Sequence, residues 1–588
     1  MHRMGFLLYY PPMAKQWRVA DPVPEDVRKQ FPELQPLVLQ LLWNRGLRTQ
    51  TAIDEFLNPD WGTDIHDPFL FKDMQKAVAR IQKGIAAKEK IIVHGDYDAD
   101  GVCSSAVLHT TLQALGADVE VYLPHREREG YGLNLQTIDH LHEKHKAKLI
   151  VTCDCGTSNV AEVARAAELG MDVIITDHHH EPPQRPAAYA LLNPQLVDSG
   201  YPFPHLAGSG VAFKLAQALI RASGLEKVNG LTKEGFEKWL LDFVAISTVT
   251  DFMPIIGENR TLVKYGLVVL RKSPRPGIRA LAEAMSTRQE NFDTTSIGFQ
   301  IGPRLNAAGR MDHASTAFRL LISTNFEEAQ AIAAALNQSN TERQKLTETI
   351  VRQAKQAIGE VNDTRKLLAA VGTGWPVGVV GLVAGKLADE HHRPVLVMAD
   401  HDGEVTGSGR SIPQFDITAA LHTTKSILER FGGHAGACGF TLKPENVQKF
   451  VQAMEAEAAK QLTAKDLIKD IAIDVDVPLP AVDWPLLDTL EQFEPFGEDN
   501  PKPLFCCRNM VVTELQPVGK EGKHLRIVVN HTVPEPRKFI AFGGGLTYGK
   551  QLTVGDKVDA VFTVDRNEWN GTRELQLKVV DLRLSEAK

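Results

Sequence analysis

The 588-residue sequence has no long apolar run, few cysteines and no excess of positive charge. Each shortage excludes something. No stretch approaches the ~20 apolar residues that a membrane-spanning helix needs. The apolar stretch Phe6–Tyr10 is too short for the core of a secretory signal, and Met13 is a candidate internal start. The cysteines are Cys103, Cys153, Cys155, Cys438, Cys506 and Cys507. They form no Cys-x-x-Cys pair, which argues against structural zinc and suits free thiols in a reducing cytoplasm. The formal net charge of -8 excludes a protein held to nucleic acid by bulk charge, but leaves a local basic groove open. There is no solenoid repeat and no low-complexity tract. Gly407-Ser408-Gly409 lacks the strand-to-helix setting of a nucleophile elbow. Gly381–Lys386 is one residue short of a P-loop and lacks its Ser/Thr, which excludes nucleoside-triphosphate hydrolysis.

What is present is a recurring pattern. Three short apolar runs each end on an acidic cluster: Ile91–Asp100, Leu149–Asp154 and Val173–His179. Such runs read as buried parallel strands. In an open parallel sheet the carboxyl ends of the strands face one crevice, so these carboxylates and imidazoles converge. Carboxylates that close repel each other unless cations hold them. The pattern therefore predicts a metal-dependent hydrolase with an α/β fold.

The chain divides by pattern. Residues 1–75 form an irregular extension with helical stretches, and 76–255 alternate strand and helix, as βαβ units do. Residues 256–365 are helical, with a loop at Gly302-Pro303-Arg304 and one long polar connector helix over 326–360. A second, smaller α/β unit covers 366–465, and 466–588 hold short β runs spaced as in a small barrel. Cys153 and Cys155 are expected on opposite faces of one strand.

His94, Asp98 and Asp100 share one loop, and hard oxygen donors with imidazole suit Mn²⁺ or Mg²⁺. The plain alternative is an Asx-rich turn that caps the following helix, and for Asp96 alone that reading is preferred. Asp154 could likewise cap a helix, although Thr157 or Ser158 could serve instead. Asp177-His178-His179-His180 is a sharper signal, because three imidazoles follow a carboxylate at a strand end. Asp251 closes an apolar helix, a poor place for an unpaired carboxylate unless a cation sits nearby.

His94–Gly101, Asp154, Asp177-His178-His179 and Asp251 occur in the order of the DHH phosphoesterase superfamily, which the chain resembles. Gly302–Arg310, Leu336–Gln344, Phe431–Gly436 and Pro495–Pro501 narrow the resemblance to the RecJ family of exonucleases, over roughly residues 14 to 588. The resemblance implies a DHH catalytic domain, a connector helix, a DHH-associated domain and a C-terminal OB-fold. It implies a single-stranded-DNA-specific 5′→3′ exonuclease that releases 5′-mononucleotides in recombination, repair and mismatch repair. The cofactors implied are two divalent cations, Mn²⁺ or Mg²⁺. His94 and Asp98 would hold one and Asp100, His178 and Asp251 the other, with Asp154 bridging. Asp177 and His179 would orient His178 or touch phosphate. Together Asp154, Asp177, His178 and His179 make the catalytic set.

Arg304, Arg410, His434 and Arg126 would grip phosphate, the Gly432-Gly433-His434 loop offering backbone amides. On the barrel, Lys520, Lys523, His524, Arg526, Phe542 and Trp569 are candidate strand contacts. The implied partners are a single strand with a 5′ end, a single-strand-binding protein and a helicase, for a cytoplasmic monomer without membrane association. One departure stands out: the resemblance leads to Trp-His before a helix, whereas here Trp375 precedes Pro376. Two other readings compete. A small-molecule DHH enzyme would cleave dinucleotides and leave long strands intact. A non-catalytic scaffold would have lost ligands, and here all six positions are filled.

Overall fold

The computed structural model describes residues 15–126, 128–401, 403–531, 536–569 and 572–585, without the side chains of Glu568, Trp569 and Thr572. Phe6–Tyr10, Met13 and the Trp569 side chain therefore lie outside the described residues. The chain separates into two compact units. One comprises Asp54–Thr349 with Pro495–Pro501; the other comprises the N-terminal segment to Ile53, Ile350–Glu494 and Lys502 onward.

The first unit carries a five-stranded parallel sheet. Its strands are β1 (Lys90–Gly95), β2 (Asp118–Tyr122), β3 (Leu149–Cys153), β4 (Asp172–Thr176) and β5 (Ala190–Leu192). The spatial order is β2-β1-β3-β4-β5. β1, β3 and β4 are almost wholly buried, which explains their unbroken Ile/Val/Leu composition. The order reverses between β1 and β3, and in such folds the ligand crevice opens at that switch point, beyond the carboxyl ends of the strands. Helices α1 (Ala99–Ala114), α2 (Leu135–Glu143) and α3 (Val160–Glu168) connect the strands. Two further helices, α4 (Gly208–Ala222) and α5 (Leu241–Thr250), are buried along most of their length.

Gly302-Pro303-Arg304 is not a loop. It opens helix α6 (Gly302–Met311), which continues directly from a π-helical turn, Ile297–Ile301. Proline at the second helical position needs no backbone donor, so the helix accepts it. The polar connector is α7 (Phe326–Ile358), whose sequence spans the division between the two units.

The second unit holds a mixed sheet and a barrel. The sheet contains β6 (Leu368–Thr373), β7 (Val395–His401), β8 (Glu404–Arg410), β9 (Arg430–His434) and β10 (Ala437–Leu442), in the order β9-β10-β8-β7-β6. Helix α8 (Val377–His391) follows β6. The Gly432-Gly433-His434 segment is an edge strand rather than a loop, because β9 pairs with β10 along its whole length. The barrel comprises β11 (Phe505–Val518), β12 (His524–Asn530), β13 (Arg537–Ala541), β14 (Lys557–Trp569) and β15 (Thr572–Leu584). Pairing of β11 with β14 closes it. The N-terminal strand Lys15–Val19 lies parallel to Lys469–Ile473, and Trp17 Nε1 donates to Asp581 Oδ2 of the barrel at 2.7 Å.

Candidate metal centre

The carboxyl ends of β1, β3 and β4 and the C-terminus of α5 deliver their side chains to one place. His178 Nε2 stands 3.1 Å from Asp154 Oδ1 and 3.6 Å from both Asp100 Oδ2 and Asp251 Oδ2. Three carboxylates thus surround one imidazole nitrogen. Two groupings around it have donor atoms close enough to share an ion: Asp100, His178 and Asp251, and Asp154, His178 and His179. A third joins Asp96, Asp98 and Asp154.

Each candidate ligand is held by its element. Asp98 caps α1, accepting from the Asp100 and Gly101 amides at 2.9 and 3.1 Å. Asp96 is not the capping residue; it is buried, and its Oδ1 has no hydrogen-bond partner. Asp100 is fixed by the Gly208 and Ser209 amides at 2.8 and 2.9 Å and by the Ser247 and Ser104 hydroxyls at 2.6 and 3.1 Å. Asp154 adopts a left-handed backbone, φ +62°. That turn takes Cys155 off the strand, so Cys153 and Cys155 do not occupy opposite faces of β3; Cys155 Sγ instead lies 3.8 Å from His94 Nδ1. His94 is fully buried, and its Nε2 has no partner. Asp177 accepts from the Thr157, His178 and His179 amides at 2.8, 2.8 and 3.2 Å and pairs with His179 Nδ1 at 2.8 Å.

The electrostatics are those of a site built for positive charge. Burial, then the neighbouring carboxylates, push Asp154, Asp96, Asp98 and Asp251 above the usual carboxylate range. Burial depresses His94 to about 4, leaving its imidazole neutral and able to ligate. His179 goes the other way: burial opposes it, but the Asp177 hydrogen bond and charge raise it to about 9. Orphaned donor atoms, crowded carboxylates and an oxygen-rich set with imidazole fit a hard divalent cation.

Several supports are not legible as site residues in the sequence, although Asn306 falls within the Gly302–Arg310 motif. Tyr131 donates to the Asp154 carbonyl at 3.1 Å and lies 3.0 Å from His179 Nδ1. Gly208, Ser209 and Ser247 cradle Asp100, and Asn306 Oδ1 accepts from the Ala99 amide at 2.7 Å, tying α6 to the metal loop.

Of the phosphate candidates, Arg126 lies over the Tyr97 ring at 4.8 Å, beside that loop. Arg304 is braced by Asn337 Oδ1 at 3.0 Å and the Gln300 carbonyl at 2.8 Å. Arg410 and His434 belong to the second unit, where both register with Ala437 on neighbouring strands and so share one row across the sheet. Trp375 is braced by Gln353, Pro376 caps α8, and His401 bonds the Trp375 carbonyl at 2.7 Å. On the barrel, exposed Phe542 meets the His524 ring edge-on at 5.2 Å.

Comparison with known proteins matches this geometry to a family. The N-terminal domain of the DHH family matches residues 90–248, the DHHA1 domain 363–460 and the RecJ OB domain 473–581. The single-stranded-DNA-specific exonuclease RecJ of Bacillus subtilis (strain 168) is 35% identical, over 97% of this chain and 71% of that protein. The chain belongs to the RecJ family. The RecJ of Dickeya dadantii (strain 3937) is 32% identical over 94% of this chain and 97% of its own. The crystal structure of RecJ from Thermus thermophilus in complex with Mn²⁺ superposes with a TM-score of 0.81 at 30% identity, covering 97% of this chain and 80% of that one. A RecJ architecture accounts for the closed barrel and the second α/β domain as well as for the acidic centre.

Proposed function

We propose that this protein is a single-stranded-DNA-specific 5′→3′ exonuclease that releases 5′-mononucleotides in recombination and repair. The observation that carries the reading is the convergence of Asp100, Asp154 and Asp251 on His178 Nε2 in a chain of the RecJ family. Asp100, Asp154, His178 and Asp251 would hold one divalent cation. His94, Asp96, Asp98 and Asp154 are the donors available to a second. When bound, Mn²⁺ or Mg²⁺ supplies charge neutralisation of the phosphate and lowers the pKa of the attacking water.

The protein's own groups orient the reaction. Asp177 fixes the strand end from which His178 projects, and orients the His179 ring through its Nδ1. The His179 ring would face a phosphate oxygen held at the cations. Arg304, Arg126, Arg410 and His434 are the further anion grips, arginine's planar fork matching two oxygens at once. The barrel supports a polymeric substrate over a dinucleotide. A single-strand-binding protein and a helicase are the proposed partners of a cytoplasmic monomer. Among the described residues no helix is long and apolar enough to cross a membrane.

The test is hydrolysis of a 5′-labelled single strand in Mn²⁺. The wild-type protein releases labelled mononucleotide and spares blunt duplex. Asp154→Ala reduces the rate at least ~1000-fold, the scale expected when a charge-stabilising group is lost from a catalytic centre. Equal rates for the two proteins would overturn the reading.

A further inference from the structure

Helix α5 ends just before the metal centre in a Schellman motif. The Phe252 amide donates to the Val249 carbonyl at 3.4 Å and the Met253 amide to the Thr248 carbonyl at 3.1 Å. Phe252 is the left-handed residue of that motif, φ +55°. Glycine is favoured there, because a side chain on a left-handed backbone crowds its own carbonyl. The ring adds nothing to the core: Phe252 is 75% exposed. A bulky aromatic that strains the backbone and stays in solvent calls for a functional reason. It directly follows Asp251, whose carboxylate stands 3.6 Å from His178 Nε2.

A second exposed aromatic lies on the turn that packs against the end of α5. The π-helical turn Ile297–Ile301 runs into α6 against the same last turn of α5. A Cβ on Gly302 would come within 2.3 Å of Thr250 Cγ2, and one on Gly298 within 3.9 Å of Val249 Cγ1. Phe299, in that turn, is 77% exposed. π-Helical turns are rare and occur frequently at functional sites. Among the described residues these two are the most exposed aromatic side chains.

We propose that Phe252, with Phe299 on the adjoining turn, is a stacking platform for a nucleobase next to the scissile phosphate. The proposal rests on the single-strand reading above and adds to it how the strand is seated. Every base offers a π face, so stacking is indifferent to sequence. A base held beside Asp251 would fix the height of its phosphate over the carboxylates. The rings would thus act through position and not on the reacting atoms.

The experiment compares wild type, Phe252→Gly and Phe252→Trp on a normal single strand and on strands carrying one abasic site at successive positions from the 5′ end. Phe252→Gly is expected to lose roughly tenfold in kcat/KM, mainly through KM. Its Tm should equal or exceed that of wild type, because glycine suits the left-handed position. Phe252→Trp should retain activity. One abasic position should cost wild type about the same tenfold and cost Phe252→Gly nothing more. Unchanged kcat/KM in Phe252→Gly, or an equal abasic penalty in both proteins, overturns the proposal. Should wild type cut no strand in Mn²⁺, the nuclease reading fails by itself. Strand affinity by fluorescence anisotropy then decides: a Kd weakened roughly tenfold in Phe252→Gly supports stacking, and an unchanged Kd refutes it.

Discussion

Asp154 shows how closely single residues are fitted in this centre. Its left-handed backbone aims the carboxylate at His178, and the space for that conformation comes from a glycine far away in sequence. A Cβ on Gly208 would lie 2.7 Å from the Asp154 Cβ and 3.0 Å from its Cα. The same Gly208 amide donates to Asp100 Oδ2. Gly208→Ala must therefore push apart two of the proposed cation ligands. The expected result is a fall of about 100-fold in kcat, the cost of displacing reacting groups by about 1 Å. Circular dichroism should remain that of wild type. A kcat within twofold of wild type would show that the contact has slack.

At the scale of elements, the helices behind the sheet are tied by charge as well as by packing. Lys214 on α4 and Glu258, in the first turn of Gly257–Lys272, are both fully buried and 2.5 Å apart. Tyr201 donates to the other carboxylate oxygen at 2.6 Å, and the His66 amide donates to the first at 3.0 Å. Breaking one side of such a pair leaves an uncompensated charge. Glu258→Gln is expected to lower unfolding free energy by about 3–5 kcal/mol in urea titrations. The pH dependence should have a definite sign. Burial holds the Lys214 pKa below 10.5 in the fold even with Glu258 raising it, so the unfolded chain binds more protons there. Stability should therefore fall as pH drops from about 10.5 toward the lowered value, and the fall should be larger in Glu258→Gln, which lacks the carboxylate that raises that pKa.

The same scale shows what can be read from sequence. Asp98, Asp100, Asp154, His178 and Asp251 are visible because each borders an element whose apolar run is unmistakable. The Asp100 cradle is not, because Gly208, Ser209 and Ser247 come from helices more than 100 residues away and carry no motif. Asp96 reads as a turn residue, since hydrogen-bond capping and ligation use the same side chains; only burial with an unsatisfied oxygen separates them. The start of α6 reads as a loop because Gly-Pro usually punctuates, whereas here a π-turn leads straight into the helix. The Gly-Gly of β9 misleads similarly, because glycine reads as a turn signal, whereas this sheet takes glycines into its strands, Gly407 and Gly409 of the interior β8 included.

Across the whole molecule, the first and last parts of the chain meet in one unit. Trp17 donates to Asp581, and the Arg583 guanidinium lies over its indole at 4.0 Å. Lys15 pairs with the same carboxylate at 3.0 Å. Trp17→Ala removes an aromatic anchor, a hydrogen bond and a stacked cation. It is expected to cost about 2–3 kcal/mol, less than a fully buried tryptophan would. A urea midpoint that does not move would show that the N-terminal strand contributes little to the barrel.

This pairing has a consequence for how the protein is made. Lys15 aligns with Lys469, so the opening strand has no docking partner until most of the polypeptide has left the ribosome. At roughly 5–20 residues per second, that wait lasts on the order of half a minute or longer. During that interval a Trp-bearing edge hangs unpaired, open to holdase chaperones and to pairing with neighbouring nascent chains.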